Sequence, residues 1–176
     1  YGTRTLVTNQ WTTTGTDYKA RLDDNYEWIH VEVHSSAFSH TFKTPAGWDG
    51  SVTNSEIRTI DPVAFFYNLY ACSNARYVEM NYMGGWYIFT NTRGLAAVGS
   101  TKTGGMLQHD YFYTPLGAKK TLGEAFKAWF TDALGPTHDL GERQWFYGMT
   151  LLGDPALRTV VPYFTRTIAP GSATVQ

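Results

Sequence analysis

Two apolar runs of strand type, each opening into a polar turn, are the strongest pattern in this chain. Val63 to Ala71 leads into Cys72-Ser73-Asn74, and Trp28 to His34 leads into Ser35-Ser36. Runs of this length, rich in β-branched and aromatic residues, predict strands that are buried rather than half-exposed. Gly94 to Ser100 predicts a third buried strand, whose small residues allow a helix to pack closely on the sheet. Arg4 to Thr8 reads as a short strand at the start of the chain.

Helical spacing is clearest over Thr121 to Leu134. There Leu122, Ala125, Phe126, Trp129, Phe130, Ala133 and Leu134 form one apolar stripe. Thr121 and Glu124 have the spacing of a capping box, and Gly135-Pro136 is a stop. A short helix follows Asp17, and another follows Asn81 through Tyr82, Trp86 and Phe89. A last one begins near Glu142, with Trp145, Phe146, Met149 and Leu152 on one face, and ends at Gly153-Asp154-Pro155. His40 to Asn54, with Pro45, Gly47 and Gly50, reads as a loop. Strands alternating with helices predict an α/β fold with a mainly parallel sheet flanked by helices. Residues 1–168 form one domain on this reading and 169–176 a loose tail.

Composition narrows the function classes. The 176 residues carry a net charge of −1, so no basic field is present to hold nucleic acid or an anionic membrane. No apolar run approaches the ~20 residues of a membrane span. One cysteine excludes an internal disulfide.

That cysteine ends one buried strand, and His34 ends another. Ligand sites in parallel α/β sheets form beyond the carboxyl ends of the strands, so thiol and imidazole are expected at one cleft. A thiolate is a nucleophile, and a nearby imidazole generates or stabilises it. Backbone N–H groups at Ser35 and Cys72 are the candidate oxyanion donors. A lone cysteine is equally compatible with a small buried hydrophobe.

His30, Glu32 and His34 alternate along one strand and share a face. Residues two apart on a strand are separated by roughly 6.6 Å and those four apart by roughly 13 Å, so His30 and His34 cannot share one ion. No metal site is expected on this strand, and His30 and Glu32 are read as buried polar groups with hydrogen-bond partners. Gly99 to Gly105 lacks the spacing of a phosphate-binding loop.

At these positions the chain resembles the gingipain family of the caspase-like cysteine peptidases. That clan carries a strand ending in His-Gly and a second ending in Ala-Cys. The counterparts here are Val31-Glu32-Val33-His34-Ser35 and Asn68-Leu69-Tyr70-Ala71-Cys72. Gly94 to Thr101 looks like the family's next strand, and Gly153 to Arg158 like its closing motif.

The resemblance implies a caspase-like fold and a cysteine endopeptidase, with Cys72 as nucleophile and His34 as base. Ser100, Thr101 and Trp48 would line the specificity pocket. It also implies a protein or peptide substrate, no required cofactor but a structural calcium, and a secreted or cell-surface protein of bacterial or archaeal type.

Family domains carry more sheet before the histidine strand, so an N-terminal part of the same precursor is an expected partner. Ser35 stands where the family has glycine, which puts a Cβ beside the histidine and would strain any φ > 0. A catalytically degenerate module acting in binding or assembly is the alternative reading.

Overall fold

The computed structural model describes residues 4–133 and 139–158. In chain order the elements are α1 (Gly15–Arg21), β1 (Trp28–Glu32), β2 (His34–Ser35), β3 (Ser39–Thr44), β4 (Gly47–Thr53), α2 (Asn54–Ile60) and β5 (Phe66–Tyr70). They continue with α3 (Met83–Ile88), β6 (Ala96–Ser100), α4 (Asp110–Gly117), α5 (Leu122–Ala133), α6 (Leu140–Phe146) and β7 (Met149–Gly153).

One sheet has the order β1-β5-β6-β7. Its first three strands are parallel, and β7 joins antiparallel. The chain is thus a mixed α/β protein with a mainly parallel sheet flanked by helices. A second, antiparallel sheet has the order β2-β3-β4.

The alternation of side chains along each strand separates two cores. Val31, Tyr67, Leu69, Ala97 and Leu152 face α1, α2 and α3, where Tyr18, Leu22, Ile57, Met83 and Tyr87 are buried. Phe66, Ala96, Val98 and Met149 face the other way, onto Phe112, Leu116, Leu122, Ala125, Trp129 and Phe146 of α4, α5 and α6. Both faces of the sheet are covered, which is why its strands read as continuous apolar runs.

Several expectations are corrected. Arg4 to Thr8 form no strand. The helix placed after Asp17 begins at Gly15 and is capped by Thr14, whose hydroxyl accepts from the Asp17 N–H. The helix placed after Asn81 begins at Met83 and has no side-chain cap.

His40 to Asn54 is no loop but the β3–β4 hairpin, turning at Pro45-Ala46. Its signal was the alternation Ser39-His40-Thr41-Phe42, in which His40 and Phe42 are buried. Thr53 and Glu56 then form a capping box that starts α2. Helix α4 was also missed, because Pro115 lies inside it.

Met149 and Leu152 belong to strand β7, not to the last helix. The helix ends at Phe146, and the Thr101 N–H donates to the Gly148 carbonyl 2.8 Å away. The stop at Gly135-Pro136 and the tail from 169 lie outside the described residues. No described helix is long and apolar enough to cross a membrane.

Trp129 is fully buried and stacks on Phe146, with ring centroids 4.5 Å apart, while its indole N–H donates to the Leu107 carbonyl. Trp129→Ala should destabilise the protein by about 3–5 kcal/mol in chemical denaturation.

His40 is also fully buried. Its Nε2 lies 3.0 Å from the Tyr87 hydroxyl, which in turn meets the Tyr18 hydroxyl at 2.7 Å. Burial lowers its pKa to about 3. Between that value and the unfolded pKa of about 6.5, the unfolded chain binds a proton that the folded chain does not. His40 therefore reduces stability as the pH falls through this window, by about 1.4 kcal/mol per unit. The stability difference between wild type and His40→Gln, measured from pH 7 to 4, should show that slope.

Candidate active site at the ends of β1 and β5

Strands β1 and β5 pair in parallel with Glu32 opposite Tyr70, and the Val33 N–H extends the ladder to the Tyr70 carbonyl. Just beyond that pairing the chains diverge. One enters β2 with His34, and the other turns with Cys72.

Both residues line a single cleft of about 380 Å³, together with Glu32, Lys43, Gly104 and Trp145. Cys72 is half-buried and free, and His34 is exposed. The His34 ring meets the edge of Trp48 at a centroid distance of 4.8 Å, and the Lys43 ammonium lies over the same indole.

The turn that presents Cys72 is pinned from below. The Asn74 side chain is fully buried, and its amide nitrogen donates to the carbonyls of Leu69 and Ala71. The Ser73 N–H donates to the Lys102 carbonyl and the Ala75 N–H to the Ser100 carbonyl, tying the turn to the end of β6. Gly99 makes the space, since a Cβ there would stand 2.2 Å from the Asn74 Oδ1. Ser73 takes φ +56 within this turn.

A donor reaches the sulfur directly: the Gly104 N–H points at the Cys72 Sγ over 3.4 Å. Gly104 itself has φ +131, and a Cβ there would stand 2.7 Å from the Trp145 ring. Sequence reasoning missed both residues as parts of the site. Gly104 sits in the glycine-rich stretch that was set aside as a failed phosphate loop. Trp145 was assigned to the core, but Phe146 fills that place and Trp145 is only half-buried.

The candidate oxyanion donors fare as follows. Among the described residues, no hydrogen-bond partner takes the Cys72 N–H. Ser35 pairs with His40 across β2 and β3, and its hydroxyl turns back onto the carbonyls of Ser36 and Ser39 at 2.8 and 2.9 Å. Its φ is not positive, so replacing glycine brings no backbone strain.

Of the residues expected to bind substrate, Ser100 is fully buried, with its hydroxyl donating to the Lys102 carbonyl. The Thr101 hydroxyl donates to the Gly148 carbonyl. Neither lines the cleft; Gly104 and Trp145 stand there instead. Trp48 is exposed and does not line the cleft, but it touches His34 and Lys43, which do.

The remaining histidines divide. His40 is in the core, as described above. His30 lies opposite Asn68 on the face covered by α4, with its Nδ1 3.0 Å from the Tyr113 hydroxyl and its ring 5.1 Å from that of His109. His30 and Glu32 are not the buried polar groups that the sequence suggested: both are exposed, and it is His30 that finds polar partners, from α4 and the residue preceding it. Desolvation of the ring, then the nearby His109, lowers the His30 pKa to about 4, so its ring is neutral at pH 7.

Among the described residues, His30, Glu32 and His109 are the group whose ligand atoms converge, within 4.8 Å of one another. Two imidazoles and one carboxylate do not fit the all-oxygen shell of the calcium implied by the family resemblance.

No protein-family model matches the sequence, and the comparison with curated proteins finds no relative. Among solved structures the fold is similar to one described as "Structure of Protease". The likeness has a TM-score of 0.59 and 14% identity, covering 84% of this chain and 38% of that one. This chain therefore spans well under half the length of that neighbour, and the likeness is one of fold.

Gly104→Ala should withdraw the donor from the sulfur and push Trp145 aside. The rate of alkylation of Cys72 by iodoacetamide at fixed pH should then differ from that of wild type. An unchanged rate would mean that the Gly104 N–H has no influence on the sulfur.

Proposed function

We propose that this chain is the catalytic-residue-bearing part of a cysteine endopeptidase of the gingipain-like, caspase-like type. The observation that carries this reading is the convergence of Cys72 and His34 on one cleft, at the carboxyl ends of adjacent parallel strands, with a backbone donor on the sulfur. The fold likeness to a solved protease supports the same class. Ser35 departs from the family's glycine, but its side chain is drawn away into the hairpin turn and its φ is not positive, so it does not stand against this reading.

In this mechanism His34 holds the proton of Cys72, and the thiolate attacks the scissile carbonyl of a peptide in the cleft. The N–H groups of Cys72 and Ser35 receive the negative charge that develops on the carbonyl oxygen. As the C–N bond breaks, His34 gives its proton to the leaving amine, and the acyl group remains on Cys72 as a thioester. A water molecule, deprotonated by His34, attacks that thioester. Collapse releases the acid and restores the thiol. Trp48 holds the imidazole from its outer side, and Trp145 walls the cleft opposite. By family resemblance the enzyme acts outside the cell, with a precursor segment as its partner.

Hydrolysis of a mixed peptide library, with the cuts located by mass spectrometry, tests this reading. Cys72→Ala should abolish cleavage and leave the fold intact. His34→Ala should lower turnover by orders of magnitude, and the double variant should be little worse than either single one, because the pair acts as a unit. Cleavage that persists in Cys72→Ala would place the chemistry elsewhere. A wild type that cuts nothing, in its complete processed form, would favour the non-catalytic module.

A further inference from the structure

We propose that His30, Glu32 and His109 form a binding site for a divalent transition-metal ion of the zinc class, beside the cleft and separate from the Cys72–His34 pair. The sequence spacing speaks against an ion shared by His30 and His34. The folded chain supplies a different second imidazole, His109, delivered by the residue before α4. Its ring packs edge-on against His30.

The geometry suits a tetrahedral ion. At Zn–N and Zn–O bonds of about 2.0–2.1 Å, two ligands of a tetrahedral zinc lie about 3.4 Å apart. His30 Nε2 and Glu32 Oε1 are separated by 3.6 Å, and all three ligand atoms fall within 4.8 Å of one another. His109, which supplies the third ligand, is half-exposed at the edge of α4. Glu32 is exposed, so an ion can enter from solvent, and a water can complete the shell.

The outer partners are in place as well. The other nitrogen of His30, Nδ1, meets the Tyr113 hydroxyl at 3.0 Å, and that hydroxyl accepts from the Asn68 amide at 3.0 Å. Metal binding at Nε2 requires the tautomer with its proton on Nδ1, for which the Tyr113 hydroxyl is an acceptor within reach. Two nitrogen ligands and one carboxylate select the zinc class over magnesium or calcium, which take oxygen shells. Glu32 also lines the cleft, so the ion would lie directly against the peptide-binding space.

Zinc titration by calorimetry tests the site, using the full 176-residue chain carrying Cys72→Ala so that the thiol cannot contribute a ligand. One equivalent of zinc should bind and raise the melting temperature, while calcium and magnesium should do neither. Adding His109→Ala or Glu32→Gln should weaken zinc binding at least tenfold and remove the thermal shift. His109 makes no side-chain cap bond to α4, and Glu32→Gln preserves shape, so both variants should remain folded by circular dichroism. Cobalt(II) in place of zinc should give the intense visible bands of a tetrahedral site, absent from both variants. No zinc binding by the Cys72→Ala chain, or an affinity unchanged from that chain in either variant, would overturn the proposal.

Discussion

The in-register parallel pairing of β1 with β5 is the constraint on which both candidate sites depend. It sets Glu32 opposite Tyr70, so that His34 and Cys72, each two residues beyond its strand, emerge at the same end of the sheet. It also sets His30 opposite Asn68, which shares the Tyr113 hydroxyl with it. A slip of one residue would exchange the two faces of β1 and put Val31 where His30 now meets α4. The apolar face of each strand holds the register: Val31, Tyr67 and Leu69 are buried in one core and Phe66 in the other.

Rigidity around the cysteine comes from a different source than the hydrophobic core. A fully buried asparagine, Asn74, replaces strand pairing once β5 has ended, and Gly99 on the neighbouring strand leaves room for it. The histidine is held more loosely. It starts a two-residue strand at the edge of the small sheet, exposed on its outer side except for Trp48. Cys72 is thus fixed by internal hydrogen bonds, and His34 by a hairpin that packs through Phe42 and Val52.

What was legible in the sequence was whatever the central sheet imposes. The runs ending at His34 and Cys72 are apolar because helices cover both faces of that sheet, and Leu122 to Ala133 shows its helical stripe because it lies across one of them. The β3–β4 hairpin was hidden because it is covered on one side only. Its alternation, His40 and Phe42 inward and Thr41 and Lys43 outward, is weak beside the breakers Pro45, Gly47 and Gly50. Gly104 and Trp145 were invisible as site residues because a donor to sulfur and the wall of a cleft leave no local pattern. His109 joined His30 only through the packing of α4, across a gap in sequence that no spacing rule spans.

The walls of the cleft come from Thr13, from β3, from the ends of β1 and β5, from the loop after β6 and from α6, so they draw on nearly the whole span from residue 13 to residue 145. During synthesis the first three parallel strands are available before α6 has been made, yet the sulfur and imidazole then face an open groove without Trp145. Parallel pairings between distant segments are slow to form, because loop closure must precede any contact. A nascent chain therefore carries the thiol and the imidazole for some time before the cleft around them has its last wall, and that wall arrives only after most of the backbone has been made.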